Sequence, residues 1–251
     1  MRIWNRALVT GASSGIGAAM ARQLAAQDVE LVITGRNEER LAELAEELGN
    51  NPEVIVADLG TRDGVDPIAQ RIAAATDPVD LVINNAGLGC SGPLTEIADA
   101  DDELTVSVNV VALHRLTRVA ARALVERGGG AIVNVSSIAG DFPHPRSATY
   151  NATKSFVTSL SQAAHLELEG TGVTVTALCP GRTRTEFHAR AGMATDTAGS
   201  SWQDADIVAA NGLAAAAAGR PLAVPGIRNR AFSRALRSLP RSVTRSITKR
   251  W

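Results

Sequence analysis

The chain has 251 residues, within the range of a single α/β domain, and its 45% hydrophobic and 20% charged residues are an ordinary globular composition. That balance excludes disordered and fibrous chains, and no apolar run reaches the roughly 18 residues that a membrane-spanning helix needs. The net charge of −1 argues against a bulk nucleic-acid binder, but it hides a split. Residues 1–219 carry 16 Lys and Arg against 26 Asp and Glu, whereas residues 220–251 carry 9 basic residues and no acidic one. Arg2, Arg6 and the small residues Ala18–Ala21 give the N-terminus a passing likeness to a signal peptide. The apolar run Ala7–Val9 is too short for one. Cys90 and Cys179 lie far apart with no metal-like spacing, which fits a reduced, cytoplasmic protein without a metal site.

In chain order, short apolar runs occur at Ala7–Thr10, Glu30–Thr34, Val54–Ala57, Asp80–Ile83, Ala131–Val135 and Thr174–Leu178. Runs of this kind suit strands buried on both faces of a parallel sheet. Helical patterns fill the gaps at Ile16–Gln27, Glu38–Leu48, Asp66–Ala74, Asp101–Glu126 and Ala152–Glu169. Leu41, Leu44, Ala45 and Leu48, for instance, repeat at spacings of three and four. The alternation predicts an α/β fold, a doubly wound parallel sheet of Rossmann type with right-handed crossovers. No repeat or linker divides residues 1–225. Residues 226–251 form a basic helical C-terminal extension rather than a second domain.

Thr10-Gly11-Ala12-Ser13-Ser14-Gly15-Ile16-Gly17 follows the first strand and opens the first helix. Glycines there allow a tight turn, close approach to a pyrophosphate, and close packing of helix on strand. The exposed N–H groups and dipole of the helix start favour phosphate charge. The spacing is G-x-x-x-G-x-G rather than G-x-G-x-x-G, and a glycine-rich turn without ligand is the alternative. The second strand ends Thr34-Gly35-Arg36, where a NAD site would want a carboxylate for the ribose 2′-hydroxyl. Arg36 instead offers a fork suited to a 2′-phosphate, which favours NADP over NAD. Pairing of Arg36 with Glu38 or Glu39 is the competing reading.

The chain has 23 Arg but only two Lys, Lys154 and Lys249, and a single Tyr, Tyr150. Tyr150 and Lys154 stand at i and i+4, one helical turn apart on a shared face. An adjacent ammonium lowers a phenol's pKa by on the order of 1–3 units, so the pair predicts a phenol that trades protons with a carbonyl or alcohol oxygen. A surface tyrosine beside a surface lysine is the bland alternative.

These motifs, with Asn84-Asn85-Ala86-Gly87, Asn109, Ser137 and Pro180-Gly181, closely resemble the short-chain dehydrogenase/reductase family, the branch of about 250 residues, in order and spacing over residues 5–190. The resemblance implies an NADP(H)-dependent oxidoreductase. Tyr150 would be the general acid/base, Ser137 the donor that orients the carbonyl oxygen, with Ser136 the neighbour not chosen. Lys154 would bind the nicotinamide ribose, and Asn109 would hold a water in the proton relay, or would bond only locally. Gly11, Ser13, Ser14, Gly15, Ile16 and Gly17 would cradle the cofactor phosphates, and Asp58 and Leu59 would contact adenine. Asn84, Ala86 and Gly87 would line a ribose, unless Asn84 only ties strands together. Pro180, Gly181, Thr183 and Thr185 would seat the nicotinamide, with Thr183 departing from the family's usual aliphatic residue. A homodimer or homotetramer is implied, with interfaces on Asp101–Glu126 and Ala152–Glu169. A non-catalytic NADP-binding regulator is the rival function. A sugar-nucleotide epimerase or dehydratase of the longer branch would want a G-x-x-G-x-x-G loop, which is absent.

Substrate would face Leu88–Pro93, Ile138–Thr149 and Phe187–Trp202, which hold Cys90, Phe142, Phe187, Met193 and Trp202. Their character predicts an apolar ketone, aldehyde or secondary alcohol, with His144, Arg146 and His188 as candidate polar anchors. Beyond Pro225-Gly226, Phe232, Leu236, Leu239, Val243 and Ile247 repeat every three or four residues opposite a row of arginines. That pattern fits peripheral membrane contact, a partner-docking arm, or an arm packed on the acidic body or at a subunit interface.

Overall fold

The computed structural model describes residues 3–49, 51–193 and 202–248, apart from the side chains of Arg241 and Ile247. The first half runs β1 (Arg6–Thr10), α1 (Gly15–Ala25), β2 (Glu30–Gly35), α2 (Glu38–Leu48), β3 (Glu53–Val56), α3 (Arg62–Ala73) and β4 (Leu81–Asn84). Then come α4 (Asp99–Val106), a π-helical turn (Ser107–Ala112), α5 (Leu113–Glu126), β5 (Gly130–Val135), a 3-10 turn (Ile138–Asp141), α6 (Ala148–Glu167) and β6 (Val173–Leu178). The last part holds β7 (Thr183–Arg184), α7 (Phe187–Arg190), β8 (Gln203–Asp204), α8 (Ala205–Ala217), β9 (Leu222–Ala223), α9 (Ile227–Ser238) and α10 (Arg241–Thr248).

Seven strands form one parallel sheet in the order β3-β2-β1-β4-β5-β6-β9. Successive strand residues point to opposite faces, and both faces are apolar, which is why the strands read as continuous hydrophobic runs. Ala7, Val9, Ile33 and Ile83 face a core made with Met20 and Leu24 of α1, Leu41 of α2 and Val208 of α8. Leu8, Val32, Val82 and Ile132 face the other way, onto Ile68 and Ile72 of α3 and Leu116 and Leu124 of α5. The chain winds outward from β1 through β2 to β3, then crosses back to place β4 on the other side of β1. Neighbouring connections therefore leave in opposite directions at the C-terminal ends of β1 and β4, and a crevice opens there.

All six expected strands form within a residue or two of their predicted limits. The seventh, β9, and the two-stranded pair β7–β8 were not read, because two-residue strands carry no periodicity. Two helices start four residues earlier than predicted. Thr61 caps α3, its hydroxyl accepting from the Gly64 N–H at 3.1 Å, so Pro67 lies inside the helix rather than near its start. Helix α6 begins at Ala148, which puts Tyr150 within its first turn. The predicted helix Asp101–Glu126 is interrupted by the π-helical turn that carries Asn109, a wide turn often found at functional sites.

The C-terminal arm packs on the body through α9. Leu236 and Ser233 are buried, and the Phe232 ring meets Phe142 edge to face at 5.8 Å. This matches the packed-arm alternative for Phe232, Ser233 and Leu236, while Ile227, Leu239 and Val243 are exposed.

Gly64 fixes the approach of α3 to the end of β3, since a Cβ there would lie 2.0 Å from the backbone oxygen of Asp58. Gly64→Ala is expected to destabilise the fold by about 1–3 kcal/mol through overpacking, read as a lower urea midpoint at unchanged slope.

Candidate active site

The crevice at the switch point widens into a cleft of about 1510 Å³ that runs from the start of α1, past the ends of β4 and β5, to α7 and α9. That volume exceeds the range of most small-molecule pockets and has room for a dinucleotide and a second ligand.

At one end lies the glycine loop. Gly11 and Gly15 adopt left-handed φ values of 64° and 59°, which a side chain would strain. A Cβ on Gly11 would lie 2.9 Å from Ala86 Cα, and one on Gly15 would lie 2.9 Å from Thr185 Cγ2. Gly11, Ser13, Ser14, Gly15 and Ile16 line the cleft. Gly17 does not, because it packs α1 on the loop: a Cβ there would lie 2.5 Å from the Gly11 carbonyl oxygen. Ser14 occupies the N-cap position of α1 without using its side chain as a cap, so the first N–H groups of the helix stay open. Arg36, Asp58 and Leu59 line the cleft beside the loop, and Arg36 makes no ion pair among the described residues. The competing pairing with Glu38 or Glu39 is not formed. Asp58 Oδ1 accepts from the Gly60 N–H at 2.9 Å, which shapes the turn after β3.

Asn85 clamps this end of the site and was not singled out from sequence. Its Nδ2 donates to the carbonyl oxygens of Thr10 at 2.9 Å and Gly11 at 3.1 Å, while the Thr10 hydroxyl accepts the N–H groups of Asn85 and Ala86. The only signal was its place in the Asn-Asn-Ala-Gly run at the end of a strand. Ala86 and Gly87 line the cleft, and Asn84 does not. The expectation that Asn84 lines a ribose is corrected: its Nδ2 donates to Asn134 Oδ1 at 2.8 Å and to Thr117 Oγ1 at 3.2 Å. Asn84 and Asn134 are partners in the β4–β5 register, so this amide ties strands together.

Ser137, Tyr150 and Lys154 converge on the middle of the cleft. Ser137 caps the 3-10 turn after β5: its hydroxyl accepts from the Ala139 N–H at 3.1 Å and donates to the Pro180 carbonyl oxygen at 3.4 Å. Ser136 points away, buried on the Lys154 carbonyl oxygen and the Thr158 hydroxyl at 2.7 Å each. Lys154 is 4% exposed, and its Nζ donates to the Val135 carbonyl oxygen at 2.9 Å.

The electrostatics depart from the sequence expectation. Burial pushes the half-buried Tyr150 phenol up to about 12, partly opposed by the Ser137 hydroxyl, and pushes Lys154 down to about 8. The ammonium sits 5.7 Å from the centroid of the Tyr150 ring, over its face rather than on its oxygen. The predicted lowering of the phenol by Lys154 is therefore absent in this state, because desolvation outweighs a cation that is spent on a backbone carbonyl.

Asn109 lies fully buried in the π-helical turn. Its Oδ1 accepts from the Leu88 N–H at 2.8 Å, and its Nδ2 donates to the Leu88 carbonyl oxygen at 2.8 Å and to Thr153 Oγ1 at 3.0 Å. It stands beside the reacting pair without lining the cleft, since a Cβ on Gly87 would be 3.3 Å from both Asn109 Oδ1 and Lys154 Nζ. Its bonds reach across to the β4 loop, so it does not bond only within its own helix.

Pro180, Gly181, Thr183 and Thr185 form the opposite wall. The buried Thr183 hydroxyl donates to the Gly181 carbonyl oxygen at 3.0 Å, a bond an aliphatic residue could not make. Phe142, Phe187 and Met193 line the far end, with the Phe187 ring 5.4 Å from that of Tyr150. Residues 194–201 of the expected substrate segment Phe187–Trp202 lie outside the described residues. Arg182 and Arg190 also reach the cleft; the first lies over the Trp202 ring and the second pairs with Glu186. Among the described residues, no group of three or more His, Cys, Asp or Glu is placed to hold a metal ion.

Residues 5–195 match the family model described as short chain dehydrogenase. Sulfoacetaldehyde reductase 2 of Chromohalobacter salexigens is 41% identical over 184 residues, covering 72% of this chain and 73% of that one. A short-chain dehydrogenase from Sphingobium yanoikuyae, solved with NADPH, superposes with a TM-score of 0.84 at 34% identity, covering 92% of each chain. A bulky-bulky ketone specific alcohol dehydrogenase from Comamonas testosteroni superposes at 0.79 with 29% identity, over 95% of this chain and 96% of that one. With the Rossmann-type sheet, the glycine cradle and the Ser–Tyr–Lys cluster in one cleft, the chain belongs to the short-chain dehydrogenase family, oxidoreductases that interconvert alcohols and carbonyls.

Proposed function

We infer that the cleft reduces a ketone or aldehyde with NADPH, and oxidises the secondary alcohol in reverse. The observation that carries this reading is the placement of Ser137, Tyr150 and Lys154 in the same cleft as the glycine cradle and the unpaired Arg36. The residues fit a dinucleotide on structural grounds. Gly11, Ser13, Ser14, Gly15 and Ile16 line the cleft at the start of α1, where the first N–H groups are open, and the Thr34 hydroxyl beside them is buried with no partner among the described residues. Arg36, free to hold a 2′-phosphate, accounts for NADP(H) as cofactor. Gly11, Ser13, Ser14, Gly15 and Ile16 would cradle the pyrophosphate, Asp58 and Leu59 the adenine, Ala86, Gly87 and Lys154 the ribose, and Pro180, Gly181, Thr183 and Thr185 the nicotinamide. The bound cofactor supplies or accepts the hydride.

The chain's own groups handle the proton. The Ser137 hydroxyl, in the same part of the cleft as the phenol, orients the carbonyl oxygen, and Tyr150 donates its proton to that oxygen as the alcohol forms. A phenol held near pKa 12 is fully protonated at neutral pH, the state that reduction requires. Lys154 keeps a cation near the phenol as its proton leaves. Asn109 positions the Leu88 backbone and Thr153, and through Thr153, whose hydroxyl donates to the Tyr150 carbonyl oxygen, the first turn of α6.

Residues 1–225 would form the catalytic domain with 226–251 as its extension, and the substrate would be apolar, facing Leu88, Phe142 and Phe187. A second reading, a carbonyl compound bearing a carboxylate or sulfonate, is favoured by Arg146. It lines the cleft with a left-handed φ of 65° and no ion pair among the described residues. Sulfoacetaldehyde reductase 2 is a relative whose name fits that reading. Comparing aryl ketones with anionic aldehydes at saturating NADPH decides between them. A cytoplasmic homo-oligomer is supported by the unpaired Cys90 and Cys179, by the absence of a helix long and apolar enough to cross a membrane among the described residues, and by Val111, Phe156 and Leu166 exposed on the π-helical turn and α6.

Tyr150→Phe is expected to cut turnover by about 10³-fold or more with NADPH affinity unchanged, checked by single-turnover kinetics and fluorescence titration. Retained turnover would overturn the mechanism. Arg36→Ala should raise the NADPH KM about tenfold and leave the NADH KM nearly as it was. A free-protein Lys154 near pKa 8 is charged below that pH and neutral above it. The pH profile of kcat/KM for NADPH should therefore fall along an alkaline limb centred near 8, and Lys154→Met should remove that limb along with most of the rate.

A further inference from the structure

The C-terminal arm does more than pack: α9 forms part of the cleft itself, through Asn229 and Phe232. Nothing in the glycine, serine, tyrosine and lysine motifs reaches that far along the chain. Its seat is built from three separate contacts. Asp141, in the 3-10 turn that follows Ser137, has a side chain only 4% exposed. Its Oδ1 accepts from Arg237 Nε at 2.9 Å and lies 2.7 Å from Arg237 Nη2, and its Oδ2 accepts from the Ser233 hydroxyl at 2.6 Å. The Phe142 ring, one residue on, meets the Phe232 ring edge to face. At the start of the helix, Asn229 Nδ2 donates to Gln203 Oε1 at 2.8 Å and to the Pro225 carbonyl oxygen at 3.1 Å, and the Asn229 side chain is so close to Gly181 that a Cβ there would clash at 2.4 Å. Helix α9 is thus tied both to the turn beside Ser137 and to the wall beside Thr183.

We propose that Phe232, with Phe142, forms the wall against which the larger apolar substituent of the carbonyl substrate packs, and that Arg237 is a positioning residue that holds this wall through the buried carboxylate of Asp141. The proposal rests on the carbonyl-reductase reading and names what sets its substrate size. A carboxylate sealed from water needs its partners, so loss of the Arg237 guanidinium leaves Asp141 with one hydroxyl and frees the turn and the helix from each other. Because the cleft is already roomy, truncating Phe232 removes contact area rather than relieving a clash. Selectivity for large over small substituents therefore falls, and it falls in KM, since the Ser137–Tyr150–Lys154 cluster is untouched.

The test uses the full chain and two probes at saturating NADPH, acetone and an aryl alkyl ketone, with Phe232→Ala, Phe232→Leu and Arg237→Gln beside the unaltered protein. In Phe232→Ala and Arg237→Gln the ratio of kcat/KM for the aryl ketone over acetone should drop about tenfold, carried by KM, with the NADPH Kd unchanged. Phe232→Leu, which keeps an apolar wall, should retain most of the ratio. An unchanged ratio in Phe232→Ala overturns the wall, and an unchanged ratio in Arg237→Gln overturns the positioning role. If Arg237→Gln does not fold, Asp141→Asn, which keeps the acceptor oxygen and removes the buried charge, carries the same two outcomes. NADPH binding by the unaltered protein without reduction of either ketone would instead overturn the carbonyl-reductase reading, and the wall with it.

Discussion

A buried ammonium donating to a backbone carbonyl organises this molecule. Lys154 Nζ reaches from α6 to the Val135 oxygen at the C-terminal end of β5, the last residue of that strand in register with β6. That bond sets the rotation of α6 against the sheet. With the helix so turned, Tyr150, one turn earlier, faces the cleft beside Ser137, while Thr158, one turn later, faces inward to Ser136 and Cys179. An arginine would be too long and too rigidly forked to end on one carbonyl there. In a chain that otherwise uses arginine, the lysine is a geometric requirement as much as a chemical one.

The other half of the site rests on neutral bonds. Asn85 and Thr10 join the end of β4 to the end of β1, and the glycine loop is suspended between them. These bonds span the point where the strand order reverses, so the loop is held by both sides of the crevice it borders. Asn84 and Asn134 perform a parallel task one layer deeper, linking β4 to β5 with Ser161 of α6 as the next member: Asn134 Nδ2 donates to the Ser161 hydroxyl at 3.0 Å. In this register Asn84 Oδ1 is left without a partner, whereas the Asn84 Nδ2 and both ends of the Asn134 amide are bonded, so a misplaced strand would leave further amide groups buried and unpaired. The glycine loop and the Ser137–Tyr150–Lys154 cluster are thereby held in one register.

Much of this was legible in the sequence for a simple physical reason: strands buried on both faces must be apolar at every position, and a left-handed turn against a backbone must be glycine. β1, β2, β4, β5, β6, Gly11 and Gly15 follow from such constraints, whereas the edge strand β3, with Val54 and Val56 exposed, was legible from its β-branched run, and Tyr150 and Lys154 from their spacing of one helical turn. What escaped reading depends on contacts between distant segments. Asn85 resembles its neighbour Asn84 in type, and only the fold shows that the first clamps the loop while the second ties strands. The π-helical turn has no pattern of its own, since the sequence through Asn109 keeps helical character while the side chain is drawn to the Leu88 loop. The arm beyond Pro225 showed its amphipathic pattern plainly, but the buried Asp141 that receives Arg237 looked like any loop carboxylate.

Burial accounts for the remaining disagreement, over Tyr150 and Lys154. The same dry surroundings raise Tyr150 and lower Lys154, because both shifts favour the uncharged form. For Lys154 the folded value of about 8 lies below the unfolded 10.5, so below pH 8 the fold carries an ammonium it would rather not hold. That penalty, of order 3 kcal/mol, is relieved as pH rises from 8 towards 10.5, where the unfolded chain still binds the proton and the folded chain has released it. For Tyr150 the folded value of about 12 lies above the unfolded 10, so its contribution to stability is present below pH 10 and lost as pH rises through 12. At neutral pH the fold therefore keeps a costly cation beside a neutral phenol. Stability alone would replace the lysine with an apolar side chain; the proton transfer proposed for Tyr150, with a positive charge kept beside the oxygen left behind, gives a reason to retain it.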